Sequence, residues 1–276
     1  MANKSKDIIK KAQEVLEIEA QEILHASKNI SSSFVNAVNL IIDCSGRVVL
    51  SGMGKSGHIA RKIASTLAST GTPAFFMHPG EASHGDLGMI TKNDIVIIFS
   101  NSGQSLEISS IIPNIKRIGA KIISICSNSN SDLAIQSDIH ISSDVKQEAC
   151  PLGLAPTASS TVSLALGDAL AICILGLRGF TADDFAKSHP GGSLGKNLLI
   201  KIKDIMRINN SIPKVTPQSS LKDAIIIITK KMVGFTAVID EKNKPVGILT
   251  DGDLRRALIA NKTISSSVDD CMTKNP

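Results

Sequence analysis

Tryptophan and tyrosine are absent, and aromatic residues make up only 3% of the 276-residue chain. A protein that stacks bases on aromatic platforms needs more, so single-stranded nucleic-acid binding is excluded as the main role. The core must then be built from Ile, Leu, Val and Ala. Cysteine is scarce and odd in number (44, 126, 150, 173 and 271), with no CxxC pair. That excludes a disulfide frame or a structural zinc site and implies reduced thiols in a cytoplasm. The start, Met1-Ala-Asn-Lys-Ser-Lys-Asp, has no secretory pattern. The longest apolar run, 164–177, is short for a membrane span and is interrupted by Asp168; it reads as a buried helix. No membrane is expected as a partner. The net charge of +5 is mild and dispersed, compatible with small anionic ligands but not diagnostic of them.

What is present is an alternation of apolar strands and amphipathic helices. Apolar positions recur at helical spacing through 5–27 and again from Phe34 to Ile42, giving two leading helices. Strands follow at 48–51, 74–77, 94–99, 121–126 and 138–142, with helices at 57–70 and 106–118 and a long one at 156–178. Strands that are almost wholly apolar belong to a parallel sheet covered on both faces. The expectation is an α/β fold: a parallel five-stranded sheet flanked by helices, flavodoxin-like or Rossmann-like. Ligands of such sheets bind beyond the carboxyl ends of the strands.

The first of those ends carries Ser51-Gly-Met-Gly-Lys-Ser-Gly57. Gly52-x-Gly54-x-x-Gly57 fits a dinucleotide fingerprint, but the second strand ends in Met77-His78-Pro79 without the acidic residue that holds a ribose. A Walker A loop would need glycine where Val49 stands. The remaining readings are a plain turn and a loop that cradles one phosphate, with Lys55 toward the ligand. A second carboxyl-end loop, Ser100-Asn-Ser-Gly-Gln-Ser105, also opens a helix and offers hydroxyl and amide groups suited to phosphate oxygens. Two such loops favour a phosphate ligand. A third polar loop spans 127–131. His78-Pro-Gly-Glu-Ala-Ser-His-Gly-Asp86 could bind metal by composition, but lacks a metal-site spacing and reads as a tight surface loop that meets substrate hydroxyls.

Five segments occur in order: Ser51-Gly-Met-Gly-Lys-Ser-Gly-His, His78-Pro-Gly-Glu-Ala-Ser-His-Gly-Asp-Leu-Gly, Ser100-Asn-Ser-Gly, Glu148-Ala-Cys-Pro-Leu-Gly-Leu-Ala-Pro-Thr and Ser188-His-Pro-Gly-Gly. Together they resemble the arabinose-5-phosphate isomerases, in which a sugar isomerase (SIS) domain precedes two CBS repeats. The resemblance covers nearly the whole chain. It implies a SIS domain at 1–200, a CBS portion at 203–276, and interconversion of D-ribulose 5-phosphate and D-arabinose 5-phosphate for the Kdo sugar of lipopolysaccharide. It further implies catalytic positions at Lys55, Glu107, Glu148 and His189. Substrate contacts would include Ser51, Gly52, Ser56, Gly71, Thr72, His78 and His84, with Ser100, Asn101, Ser102 and Ser105 holding the phosphate. No cofactor and no metal are required, although zinc can inhibit, with His78 as its contact. The active site of such isomerases borrows residues across a subunit boundary, so a homo-oligomer, a tetramer, is expected, with His189 acting on a neighbour.

Aldose–ketose isomerisation moves a proton between C1 and C2 through an enediol(ate). It needs a base, an acid at oxygen and positive charge near the developing oxyanion. Glu148 or His189 could be the base; Lys55 could stabilise the oxyanion or hold the phosphate; Glu107 could orient or relay. From Lys203 the pattern changes to a helix at 220–232, a strand at 236–240 and Pro245-Val-Gly-Ile-Leu-Thr-Asp-Gly-Asp-Leu-Arg-Arg256, similar to one CBS repeat. Gly247-x-x-Thr250-x-x-Asp253 is the pattern with which such repeats hold a nucleotide ribose; equally, Thr250 and Asp253 could cap the next helix. Residues 271–276 look like the opening of a second repeat.

Overall fold

The computed structural model describes residues 2–188 and 201–274 and divides into two compact units, 1–199 and 200–276. The first begins with helices α1 (Ala2–Lys28) and α2 (Ser32–Ile42). Then come β1 (Val48–Gly52), α3 (Gly54–Ser69), β2 (Ala74–Phe76), the short α4 (Pro79–Ala82) and a 3₁₀ turn at Asp86–Met89. β3 (Ile95–Phe99), α5 (Leu106–Ile118), β4 (Lys121–Cys126), α6 (Asp132–Gln136) and β5 (Ile139–Ser142) complete the sheet. α7 (Ala158–Arg178) and α8 (Ala182–Ser188) close the unit. The sheet order is β2-β1-β3-β4-β5, all parallel.

Alternation along the strands explains why they are apolar throughout. Val48, Leu50, Ile95, Ile97, Phe99, Ile123 and Ile125 point to one face, where α2, α3 and α7 cover them through Ile41, Ile63, Leu67, Leu166 and Ile174. Val49, Val96, Ile98 and Ile122 point to the other, under Ile108, Ile111, Ile112 and Ile115 of α5 and Leu133 of α6. Of the described helices, α7 alone is long and apolar enough to cross a membrane; here Val162, Leu166, Leu170 and Ile174 are buried in the core while Ile172 and Leu177 are exposed. It is therefore buried on one stripe rather than all round. Its Asp168 pairs with Lys62 of α3.

Three elements differ from expectation. α3 begins at Gly54 rather than at position 57, because the glycines fold into its first turn. Segment 78–86 holds a helical turn, since His78 caps it and Pro79 occupies its first position, where a missing N–H costs nothing. α6 was hidden in a polar stretch: the Ser131 hydroxyl accepts from the Ala134 N–H and starts the helix.

The second unit contains α9 (Ile202–Ile205), β6 (Lys214–Val215), α10 (Leu221–Lys231), β7 (Phe235–Ile239), β8 (Pro245–Thr250), α11 (Asp251–Ile259) and β9 (Thr273–Lys274). Its sheet runs β6-β7-β8-β9, with β9 antiparallel to β8. The segment expected to open a second repeat thus supplies the edge strand of this sheet. Leu221, Ala224, Val238, Leu249 and Val268 form its core.

Asp94, just before β3, ties two strand starts together. Its side chain is 1% exposed and accepts from the Arg47 N–H (2.6 Å), the Thr91 N–H (2.7 Å) and the Thr91 hydroxyl (3.0 Å). Burial pushes its carboxyl up, but these donors and the Arg47 guanidinium outweigh burial and hold it below the ordinary 3.8. A depressed carboxyl stabilises the fold above its unfolded value and loses that contribution as pH falls through its native one. Asp94→Asn should therefore cost about 2–3 kcal/mol at pH 7 in urea titration. The deficit against wild type should shrink as pH falls below the ordinary carboxyl range; an unchanged deficit would remove the charge from the account.

Candidate active site

β1 delivers the chain to Gly52, and α3 starts two residues later. A Cβ on Gly52 would lie 2.9 Å from the Phe99 carbonyl oxygen and 2.9 Å from the Ser56 backbone. One on Gly57 would lie 2.5 Å from the Gly52 oxygen. Helix and strand end therefore approach too closely for side chains, and Gly54 makes the connection at φ +54°. Lys55 and Ser56 occupy the first turn of α3, where free N–H groups and the helix dipole favour an anion. Ser51 is fully buried and donates to the Met77 carbonyl (2.8 Å), so its hydroxyl braces the first two strands.

The loop after β3 folds on its own hydroxyls. Ser100 accepts from the Gly103 N–H (3.1 Å) and Ser102 from the Gln104 N–H (3.3 Å). Ser105 stands at the N-cap position of α5 without a side-chain cap bond, and its hydroxyl donates instead to the Glu107 carboxylate (2.6 Å). That bond, above all, holds the exposed Glu107 carboxyl below its ordinary value. Asn101 is exposed at the loop tip, and its carbonyl accepts from the Ser127 hydroxyl (2.6 Å).

Glu148 precedes α7. Its Oε2 accepts from the Thr157 N–H (2.7 Å), the Thr157 hydroxyl (2.8 Å) and the Ser159 N–H (3.3 Å). Burial pushes this carboxyl up, but donors from Ser159 and Thr157 prevail and hold it down, so it is ionised at neutral pH. No described residue hydrogen-bonds Oε1. Ser159, whose N–H donates to this carboxylate, also lines a cavity of about 200 Å³ together with Met53, Lys55, Ser56, Asn101 and Ser160, among others. No described residue forms an ion pair with Lys55.

One chain thus brings together Lys55, Ser56, Asn101 and the Glu148 corner. His78 instead borders a second cavity of about 130 Å³ with Gly52, His58, Arg61 and Phe76, and its Nδ1 accepts from the Gly80 N–H (3.1 Å). Glu107 stands in the first turn of α5, held by the Ser105 hydroxyl. His84 is exposed. Gly71 and Thr72 follow the far end of α3, a helix about 24 Å long, so a single chain does not unite them with Lys55. His189 lies outside the described residues. In the second unit Asp253 is 4% exposed and forms a reciprocal capping box with Thr250, while its other oxygen accepts from the Thr273 hydroxyl (3.1 Å) and the Arg256 guanidinium. Among the described residues no group of three or more His, Cys, Asp or Glu could hold a metal ion. Thr157 and the α7 hydroxyls were missed as site residues; the run Thr157-Ala-Ser-Ser-Thr161, opening a helix just after Glu148, was the available signal.

The parallel sheet with two helix N-termini at its carboxyl edge, together with a second small unit, defines a SIS protein carrying a CBS unit. Residues 41–173 match the SIS domain and residues 202–260 the CBS domain. Arabinose 5-phosphate isomerase KdsD of Pseudomonas aeruginosa is 53% identical over 252 residues, covering 91% of this chain and 77% of that protein. KdsD of Escherichia coli K12 is 48% identical over 268 residues, covering 97% and 82%. The protein c3406 of E. coli CFT073, solved in complex with arabinose 5-phosphate, superposes with a TM-score of 0.66 and 45% identity, covering 67% of this chain and 98% of that one. The chain belongs to the arabinose 5-phosphate isomerase family.

The glycine contact is testable. Gly57→Ala should destabilise the protein by about 2 kcal/mol, because the backbone oxygen of Gly52 cannot retreat without moving β1. Gly88→Ala, where nothing lies within 4 Å, should be near neutral in the same thermal melts. Equal melting temperatures would show that the approach is not tight.

Proposed function

We propose that this chain is an aldose–ketose isomerase interconverting D-ribulose 5-phosphate and D-arabinose 5-phosphate, working in the cytoplasm and feeding Kdo for lipopolysaccharide. The observation that carries the reading is the ionised Glu148 carboxylate, one oxygen of which is saturated by donors from Thr157 and Ser159, with Ser159 lining a cavity that Lys55 also lines. The carboxylate takes a proton from C1 of the ketose, exchanges it with solvent at the enediol stage and delivers a solvent-derived one to C2. Lys55 faces the charge that develops on oxygen in the enediolate. The Ser100–Ser105 loop and the start of α5 hold the phosphate, and His189 takes the second acid–base role.

His78 borders a different cavity from the one that Lys55 and Ser159 line, which favours a site completed between subunits of a homo-oligomer, a tetramer in our reading. Residues 1–200 form the catalytic domain and 203–276 the CBS portion. In the latter, the Thr250–Asp253 capping box occupies the groups that would hold a ribose.

Proton NMR of D-ribulose 5-phosphate in deuterated buffer tests the reaction. Arabinose 5-phosphate should accumulate with deuterium at C2, and Glu148→Gln should lower the rate by about 10²–10⁴-fold. Substrate that raises the melting temperature without turnover would instead make the protein a sugar-phosphate sensor. AMP should leave the melting temperature unchanged; a clear rise would mean that a nucleotide displaces the capping arrangement at Asp253.

A further inference from the structure

We infer that Thr157 is a positioning residue for the isomerisation: its hydroxyl fixes the aim of Glu148. This rests on the reading of Glu148 as the base. The hydroxyl oxygen lies 2.8 Å from the Ala149 nitrogen and 2.8 Å from Glu148 Oε2. A backbone N–H can only donate, so the hydroxyl must accept from Ala149. Its single proton is then directed to Oε2, with no rotational choice left. The Thr157 N–H adds a second donor to the same oxygen (2.7 Å), and the Ser159 N–H a third (3.3 Å).

The consequence is an asymmetric carboxylate. Three donors pin Oε2, and Oε1 keeps its lone pairs for a proton from carbon. The same donors favour the ionised form, so the base is ready over the whole neutral range. Thr157 holds its own place as the first residue before α7, where its carbonyl accepts from the Thr161 N–H (3.0 Å). The aim of the base is thereby referred to the 21-residue helix that packs in the core, rather than to the mobility of an exposed loop.

Thr157→Val keeps the shape but removes the donor and leaves the Ala149 N–H unanswered. Glu148 should then bind its proton more tightly, and the acid limb of the kcat/KM profile should move up by about one pH unit. At neutral pH kcat should fall about tenfold with KM little changed, since the loss is of orientation. Thr157→Ser should restore both. A second readout is free of turnover: the Glu148 carboxyl resonance in ¹³C-glutamate-labelled protein, assigned by its loss in Glu148→Gln, should titrate at higher pH in Thr157→Val.

An unmoved acid limb and an unmoved carboxyl titration in Thr157→Val would overturn the proposal. So would impairment of Thr157→Ser equal to that of Thr157→Val. If Thr157→Val and Thr157→Ala both fail to fold by circular dichroism while Thr157→Ser folds, the hydroxyl is a structural cap and the proposal also fails. Should Glu148→Gln keep full turnover, the reading of Glu148 as base falls, and the catalytic role of Thr157 with it. The carboxyl titration would still report their coupling, so the two failures are told apart.

Discussion

The site depends on a space too small for a methyl group. The carbonyl of Gly52 and the α-carbon of Gly57 are so close that α3 begins almost on top of the strand end it follows. Any side chain there would push the helix away, and Lys55 with it. The close approach puts the positive end of α3 directly at the edge of the sheet. Charged chemistry there needs little from side chains, because backbone dipoles already supply part of the field. The neighbouring strand end repeats the device at α5, through a loop that satisfies itself with serine hydroxyls and leaves its helix start open.

Much of the fold was legible because burial on both faces leaves a plain trace. Ile95 to Phe99 are all apolar because alternate residues serve two different cores. The boundaries of α5 and β4 could be read from the sequence for that reason. Less visible were elements whose signals are polar: α4 starts from a histidine cap, α6 from a serine, and both look like loop composition. The start of α3 was misjudged because glycine ordinarily argues against helix, whereas here packing against β1 overrides propensity.

The site was legible only in part, for a different reason. Ser51 has a residue type suited to substrate, yet its hydroxyl is spent on Met77. Asp253 matches a ligand pattern, yet the same pattern is that of a helix cap. Sequence shows which groups exist, but not which partner has already claimed them. Conversely, Thr157 carries no motif of its own; its importance comes from standing where a helix start meets Glu148.

One contact changes where this catalytic unit should be said to begin. Glu22 of α1, 4% exposed, accepts from the Lys146 N–H (3.0 Å), and Glu19 accepts from the Thr161 hydroxyl (3.0 Å). Both lie well before residue 41, where the SIS match starts. The leading helix is thus a brace on either flank of the segment that holds Glu148. A boundary drawn by family likeness and one drawn by mechanics differ by two helices, and only the second keeps the carboxylate in its seat.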